Sequence, residues 1–246
     1  FRQTDGLSFF AADIGLDYWK RVMKEFIEEG RRGQLARTRQ LTVPGIYRGH
    51  TFYGHVTEGK PGFQPLGPAN WLYNIPLEME VKRDGTITLD FEGTQPWGYH
   101  SMNCTPAGMD GGMFVTLTQH MNFEGLVNDG AWMATELKLP KGTWTNPDNE
   151  MVATATSWAL LLPAYGVFQR LLSRGFLARG FVEEVFVGQV NSPMIEMGGT
   201  SQYGTAFGMA HFECAAAGSG ALAIKDGLDT AYVGWNPESD MGNIEI

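Results

Sequence analysis

An α+β fold, in which antiparallel hairpins and a mixed sheet pack with several helices, is the architecture this sequence predicts. Three observations carry the prediction. Apolar residues recur at three- and four-residue spacing in two long segments, around 13–29 and 157–174. Apolar and polar residues alternate with period two at 45–56 and on both sides of Arg83-Asp84-Gly85. Helices and strands do not alternate in a regular strand–helix–strand series, which argues against a doubly wound parallel sheet.

The first helix is predicted over Asp13 to Glu29. Leu16, Trp19, Val22, Met23, Phe26 and Ile27 fall on one face. Asp13 suits the N-cap, Asp17 the first turn, and Gly30 a left-handed terminus. A helical extension reaches toward Arg39, and Pro44 stops it. Gly45 to Val56 reads as a strand. Ile75 to Glu92 reads as a hairpin, with Leu77, Met79 and Val81 on one arm and Ile87, Leu89 and Phe91 on the other. Residues 93–112 look irregular, and Met113 to Phe123 reads as a buried helix. Lys138 to Pro147 is rich in turn residues. A second strong helix runs from Ser157 to Arg174; Pro163 marks its first turn or kinks it, and Gly175 ends it. Val182 to Val190 reads as a strand, a Gly-rich stretch follows, and the sequence closes on a further strand at 243–246.

Composition narrows the function. Hydrophobic residues make up 43% of the 246, charged residues only 18%, and aromatics 12% with seven Trp, a balance that suits extensive burial, part of it against other chains. The net charge of −9 repels a polyanion, and no Lys/Arg run is interleaved with aromatics, so nucleic acid is not an expected partner. Arg31, Arg32, Arg37 and Arg39 suit the negative end of the first helix. Two cysteines without CxxC spacing point to a reduced, cytoplasmic setting. No apolar run approaches ~20 residues, so no membrane span is expected. The Phe1 start and the apolar alternation at the end read as those of an internal piece of something longer, 1–246, with a possible subdivision into 1–150 and 151–246.

Chemistry-bearing residues are present but do not form a self-sufficient motif. His50, His55, His100, His120 and His211 lack HxxxH or HExxH spacing, so no metal site is assigned. Cys104 follows His100 by four residues, yet a small buried thiol is the simpler reading than a nucleophile. The Gly-rich stretches match neither GxxxxGK[ST] nor GxGxxG, and Met197–Ser201 offers only backbone N–H groups to an anion. Carboxylates such as Asp110, Asp129 and Glu136 cannot be paired without distances. His100, Asn103 and Glu238 stand as candidate site residues because they are polar groups in irregular, Gly-rich backbone, where binding residues concentrate.

Several segments, in order, resemble the hydantoinase B/oxoprolinase family. They are Pro44-Gly45-Ile46-Tyr47, Asp90-Phe91-Glu92-Gly93-Thr94-Gln95-Pro96, Asn103-Cys104-Thr105-Pro106-Ala107, Pro140-Lys141-Gly142-Thr143-Trp144-Thr145-Asn146-Pro147, and Asp226-Gly227-Leu228-Asp229 with Asn236-Pro237-Glu238-Ser239-Asp240-Met241-Gly242-Asn243. Gly234-Trp235-Asn236-Pro237-Glu238-Ser239-Asp240-Met241 is most similar to the family's acetone-carboxylating branch and departs from its hydantoin and oxoproline hydrolases. That resemblance implies an ATP-dependent ligase that converts acetone and bicarbonate to acetoacetate. It implies manganese and ATP as cofactors of a heteromultimer with beta and gamma subunits. The nucleotide site then lies on the beta subunit, and the chain lines the carboxylation cavity or contacts other subunits. The family's His-Xaa-Xaa-Asp metal run is absent from this sequence, so no metal ligand is carried over. A cyclic-amide hydrolase segment and a purely structural assembly segment are the alternatives.

Overall fold

The computed structural model describes residues 13–55, 71–122, 125, 127–152, 154, 158–185, 195–211 and 221–227. Within them, helices α1 (Leu16–Leu41), α2 (Pro106–Met121), α3 (Asp129–Trp132) and α4 (Trp158–Arg179) accompany strands β1 (Gly45–His55), β2 (Trp71–Val81), β3 (Ile87–Asp90), β4 (Thr135–Lys138), β5 (Ile195–Thr200) and β6 (Ala206–His211). This is the α+β class the periodicity predicts.

The first four strands form one sheet in sequence order. β1 pairs antiparallel with β2, and β2 with β3, while β4 adds parallel to β3. A parallel neighbour needs a long crossover, which α2 and α3 supply between Asp90 and Thr135. The β2–β3 turn is held by its sequence. Gly85 takes φ +93°, its N–H donates to Lys82 O at 3.0 Å, and the Asp84 carboxylate accepts from the Thr86 amide at 2.9 Å. Those bonds to the charged form hold the Asp84 carboxyl below its ordinary pKa.

Alternation decides which sheet face is buried. Tyr73, Ile75, Leu77, Met79 and Val81 all point to the core side, as do Ile87 and Leu89. α4 lies across that side, close enough that a Cβ on Gly49 would meet Leu171 Cδ2 at 3.1 Å. α2 packs beside α4 through Met109, Met113 and Leu117. The resulting core joins residues 73–144 with 160–176 in one cluster.

β1 is a sheet edge, where outward carbonyls would otherwise template another strand. α4 closes it: Arg170 Nη2 donates to His50 O at 3.0 Å, and Arg174 Nη1 donates to Arg48 O. One turn further along, the Arg179 guanidinium donates to Arg39 O and ties α4 to the end of α1.

Several expectations are corrected. α1 does not stop at Gly30. It begins after Gly15 without a side-chain cap, so Asp13 is not its N-cap, and it continues to Leu41, with only Thr42 before the Val43–Pro44 pair. Its buried face is Gly30, Gln34 and Thr38, whereas Leu16, Met23 and Phe26 remain 51%, 43% and 47% exposed. Gly30 makes room for the Asn128 side chain, since a Cβ there would stand 2.1 Å from Asn128 Oδ1, and that contact overrides glycine's poor helix propensity. Arg31, Arg32, Arg37 and Arg39 therefore lie inside the helix, with Arg31 paired to Glu28 at 2.6 Å.

α2 starts at Pro106, seven residues before the predicted Met113. Thr105 caps it by accepting from Gly108 N at 3.1 Å, and Pro106 occupies the first turn where its missing N–H costs nothing. α4 outlasts Gly175, which is buried against Thr42, and ends at Gly180 with φ +97°. Pro163 sits inside α4 rather than in its first turn. Val182–Glu184 is a 3-10 turn, not a strand, and 186–190 lie outside the described residues. Met197–Ser201 belongs to a β5–β6 hairpin, with Met197 opposite Met209. The strand expected at 243–246 lies outside the described residues.

Candidate functional site

Three of the segments singled out in the sequence meet in space. The loop after β3 (91–105) lies against the turn at 139–148. Pro96 bridges Thr143. Trp97 N donates to Gly142 O at 3.2 Å, Trp144 N to Gln95 O at 3.2 Å, and Cys104 N to Trp144 O at 2.7 Å. Trp144 is fully buried, and its indole N–H donates to Thr94 Oγ1 at 2.7 Å. The loop is also stitched to β2. Gln95 accepts from Asn74 N at 2.9 Å and donates to Leu72 O at 3.0 Å, completing the backbone pairing that β3 is too short to provide.

His100 and Asn103 sit at the centre of this loop, 4% and 0% exposed. Asn103 bridges the turn: its Oδ1 accepts from Gly98 N at 3.0 Å and its Nδ2 donates to the carbonyls of Gly98 and His100, both at 2.8 Å. His100 Nδ1 accepts from Met102 N at 3.1 Å, which assigns the ring proton to Nε2. Nε2 faces the Tyr73 hydroxyl, and the two rings meet edge to face at 5.3 Å. Burial pushes the Tyr73 phenol up to about 12, so it is a neutral hydroxyl at working pH. Gly98 lies flat on the pair, since a Cβ there would stand 2.5 Å from His100 Nε2. Cys104 is a buried thiol at 1% exposure in the same layer. Glu238 lies outside the described residues.

This arrangement holds a loop in one shape. Chemically it offers a neutral imidazole, a neutral phenol and an amide, all within a packed layer. Among the described residues no three His, Cys, Asp or Glu side chains group so as to hold a metal ion. Asp110 and Glu136 are engaged separately: Asp110 accepts the Trp132 indole N–H at 2.6 Å, while Glu136 accepts from Thr88 at 3.1 Å.

A second polar network, which sequence reading did not single out, lies between α2 and α4. The Tyr165 hydroxyl donates to Gln119 Oε1. Gln169 Nε2 stands 3.0 Å from His120 Nε2, so the amide donates to the ring's lone pair. Burial holds the His120 imidazole down at about 4, against an ordinary 6.5. The sign of its pH effect follows. Between pH 6.5 and 4 the unfolded chain takes up a proton that the native ring refuses. Stability therefore falls with pH across that window, by about 3 kcal/mol at most. Urea unfolding at pH 7 and pH 4.5 checks this: the loss between the two is expected to be smaller in His120→Gln than in the wild type.

Helix, mixed sheet and stitched loop together match a known family. The hydantoinase B/oxoprolinase model aligns with residues 5–246, and the chain belongs to that family. Within it, the chain is 42% identical over 241 residues to the acetone carboxylase alpha subunit of Xanthobacter autotrophicus, covering 96% of this chain and 31% of that protein. The nucleotide-free structure of acetone carboxylase superposes with a TM-score of 0.86 at 38% identity, over 97% of this chain and 32% of that one. The ATP-dependent caprolactamase of Pseudomonas jessenii shares the fold, with a TM-score of 0.65 at 16% identity over 90% of this chain and 36% of that one. The chain thus spans about a third of the length of these relatives. Among the described residues no helix is long and apolar enough to cross a membrane.

Proposed function

We propose that this chain serves as part of an ATP-dependent carboxylase that converts acetone and bicarbonate to acetoacetate. The similarity to acetone carboxylase supports this reading most, because 42% identity extends over 96% of the chain and the backbone agreement is equally complete. The name alpha subunit on that relative supports a multi-subunit setting, and beta and gamma companions belong to the proposal. In this reading manganese and ATP are held by the whole enzyme in a cytoplasmic assembly, and this chain borders the carboxylation cavity or the contacts between subunits. The buried loop at 91–105 supports a positioning role for His100 and Asn103, which fix the backbone of the segment that carries the family motifs. Glu238 stays a candidate site residue on its sequence context alone.

The test is an assay of the assembled enzyme with ATP, bicarbonate and either acetone or hydantoin. Acetoacetate and AMP are expected with acetone only. ATP cleavage with hydantoin and none with acetone would replace this reading with a cyclic-amide hydrolase. Asn103→Ala in the same assay is expected to lower kcat with the complex still assembled. Unchanged turnover would remove Asn103 from the site.

A further inference from the structure

The core side of the four-stranded sheet is covered by α4, and among the described residues no helix or strand packs on its opposite side. By alternation, that side carries Ile46, Arg48, His50 and Phe52 from β1 and Leu72, Asn74, Pro76, Glu78 and Glu80 from β2. Ile46, Phe52 and Leu72 are 53%, 55% and 57% exposed. Phe52 lies six positions beyond Ile46, a reach of roughly 20 Å along the strand. Between them lies a cleft of about 670 Å³, with His50, Phe52 and Pro76 among its lining residues and Glu78, Asp90 and Glu92 also bordering it.

Charge on this face is unbalanced. Glu78 pairs with Arg48 at 2.6 Å, Asp90 with Lys138 at 3.7 Å, and Glu136 with Lys82 at 3.9 Å. Glu80 and Glu92 have no cation among the described residues. The face thus offers separated apolar contacts with surplus negative charge between and beside them. Apolar contacts spread over roughly 20 Å exceed a small ligand and fit an extended or helical polypeptide segment. A second copy fits poorly, because a two-fold contact would set this acidic face against itself on a chain already at −9.

We infer that this open sheet face is a docking surface for a companion subunit, through a segment that places Lys or Arg beside apolar side chains. The inference rests on the multi-subunit reading above. Surplus rim carboxylates of this kind steer and orient a basic partner more than they add affinity, and the exposed Ile46, Phe52 and Leu72 supply the apolar contact.

The test is photo-crosslinking in the assembled complex, with benzoylphenylalanine placed at Ile46, at Phe52 and, as control, at Leu177 on the far side of α4. Crosslinked peptides are identified by mass spectrometry. The expected result is that Ile46 and Phe52, but not Leu177, label a companion polypeptide at a segment rich in Lys or Arg. The double variant Glu80→Lys/Glu92→Lys is expected to cut that yield by about tenfold with its circular dichroism unchanged. Labelling of a second copy of this chain, labelling within the same polypeptide, equal labelling from Leu177, absence of labelling, or a yield insensitive to charge reversal would each overturn the inference. The acetone assay is run on the same preparation. Crosslinks without acetone turnover would leave the docking surface standing and remove the carboxylase reading.

Discussion

Gly130→Ala is expected to destabilise the protein by about 3 kcal/mol or more, among the largest effects of any single methyl group added to this chain. The reason is backbone against backbone. A Cβ on Gly130 would sit 1.7 Å from the carbonyl oxygen of Ile27 in α1. That oxygen lies inside a helix and cannot move without disturbing its neighbours. The contact is clamped from a second direction, since Asn128 Nδ2 donates to Phe26 O at 2.8 Å. Gly30→Ala meets the same clamp, with its Cβ 2.1 Å from Asn128 Oδ1, but there a side chain is in the way and can give. Its cost is expected to be smaller. Gly33→Ala is the opposite case. It is exposed, mid-helix, and has nothing within 4 Å of the new methyl, so alanine there is expected to stabilise by roughly 0.5–1 kcal/mol. Urea unfolding of the three variants checks the order. Equal effects at 130 and 33 would mean that α3 does not press on α1 as described.

That ordering also explains why α1 was only half legible. Its existence followed from apolar spacing, and its end from Pro44. Its buried face did not follow, because the side that packs is chosen by close approach of α3 at Gly30 and by Gln34 and Thr38 further along. A glycine with a long-range neighbour looks, in sequence, like a glycine that ends a helix. Gly175 misled in the same way, being packed on Thr42. The hairpin was easier to read. Period-two alternation through Leu77, Met79, Val81, Ile87 and Leu89 needs only local information, and every one of those residues is buried. β4 is four residues long and parallel, with its partner nearly fifty positions away, so no local pattern marked it.

The loop at 91–105 shows a similar division. The family-like segments named its residues, but not their geometry. Thr94, Gln95 and Trp144 carry most of the stitching, and Asn103 was visible as a polar residue in irregular backbone and as the start of a family-like segment, but not as the bridge between Gly98 and His100. The Thr105–Pro106 pair was a legible helix start that the glycines at 108, 111 and 112 obscured. Gly112 is there because a Cβ would stand 2.7 Å from Leu161 Cδ1, a contact fixed by α4 and invisible locally. The sheet face with Glu80 and Glu92 was half visible, since the alternation set those side chains opposite the core, but which strand neighbours them depends on register.

Trp144→Ala is expected to cost about 4 kcal/mol, the upper range for truncating a buried aromatic. Three separate losses combine. The side chain is fully buried within the main core cluster, so its removal leaves a large cavity. Its indole N–H satisfies Thr94 Oγ1, which stays buried when the partner goes. Its backbone holds Gln95 and Cys104 in place, and that backbone is kept in position by the anchored ring. Trp144→Phe preserves most of the volume and loses the indole hydrogen bond, so about 1–2 kcal/mol is expected for it. Stability by urea unfolding gives the first readout. The second is limited proteolysis, in which Trp144→Ala should open cleavage within 92–105 well below the global unfolding midpoint, because the anchored ring is one of the loop's main ties to the body. If Trp144→Ala unfolds outright, Trp144→Phe carries the same test at smaller amplitude. A loop as protected in Trp144→Phe as in the wild type, with no loss of stability, would show that the indole hydrogen bond does not hold the loop and that its shape comes from the other ties, Gln95, Trp97, His100 and Asn103.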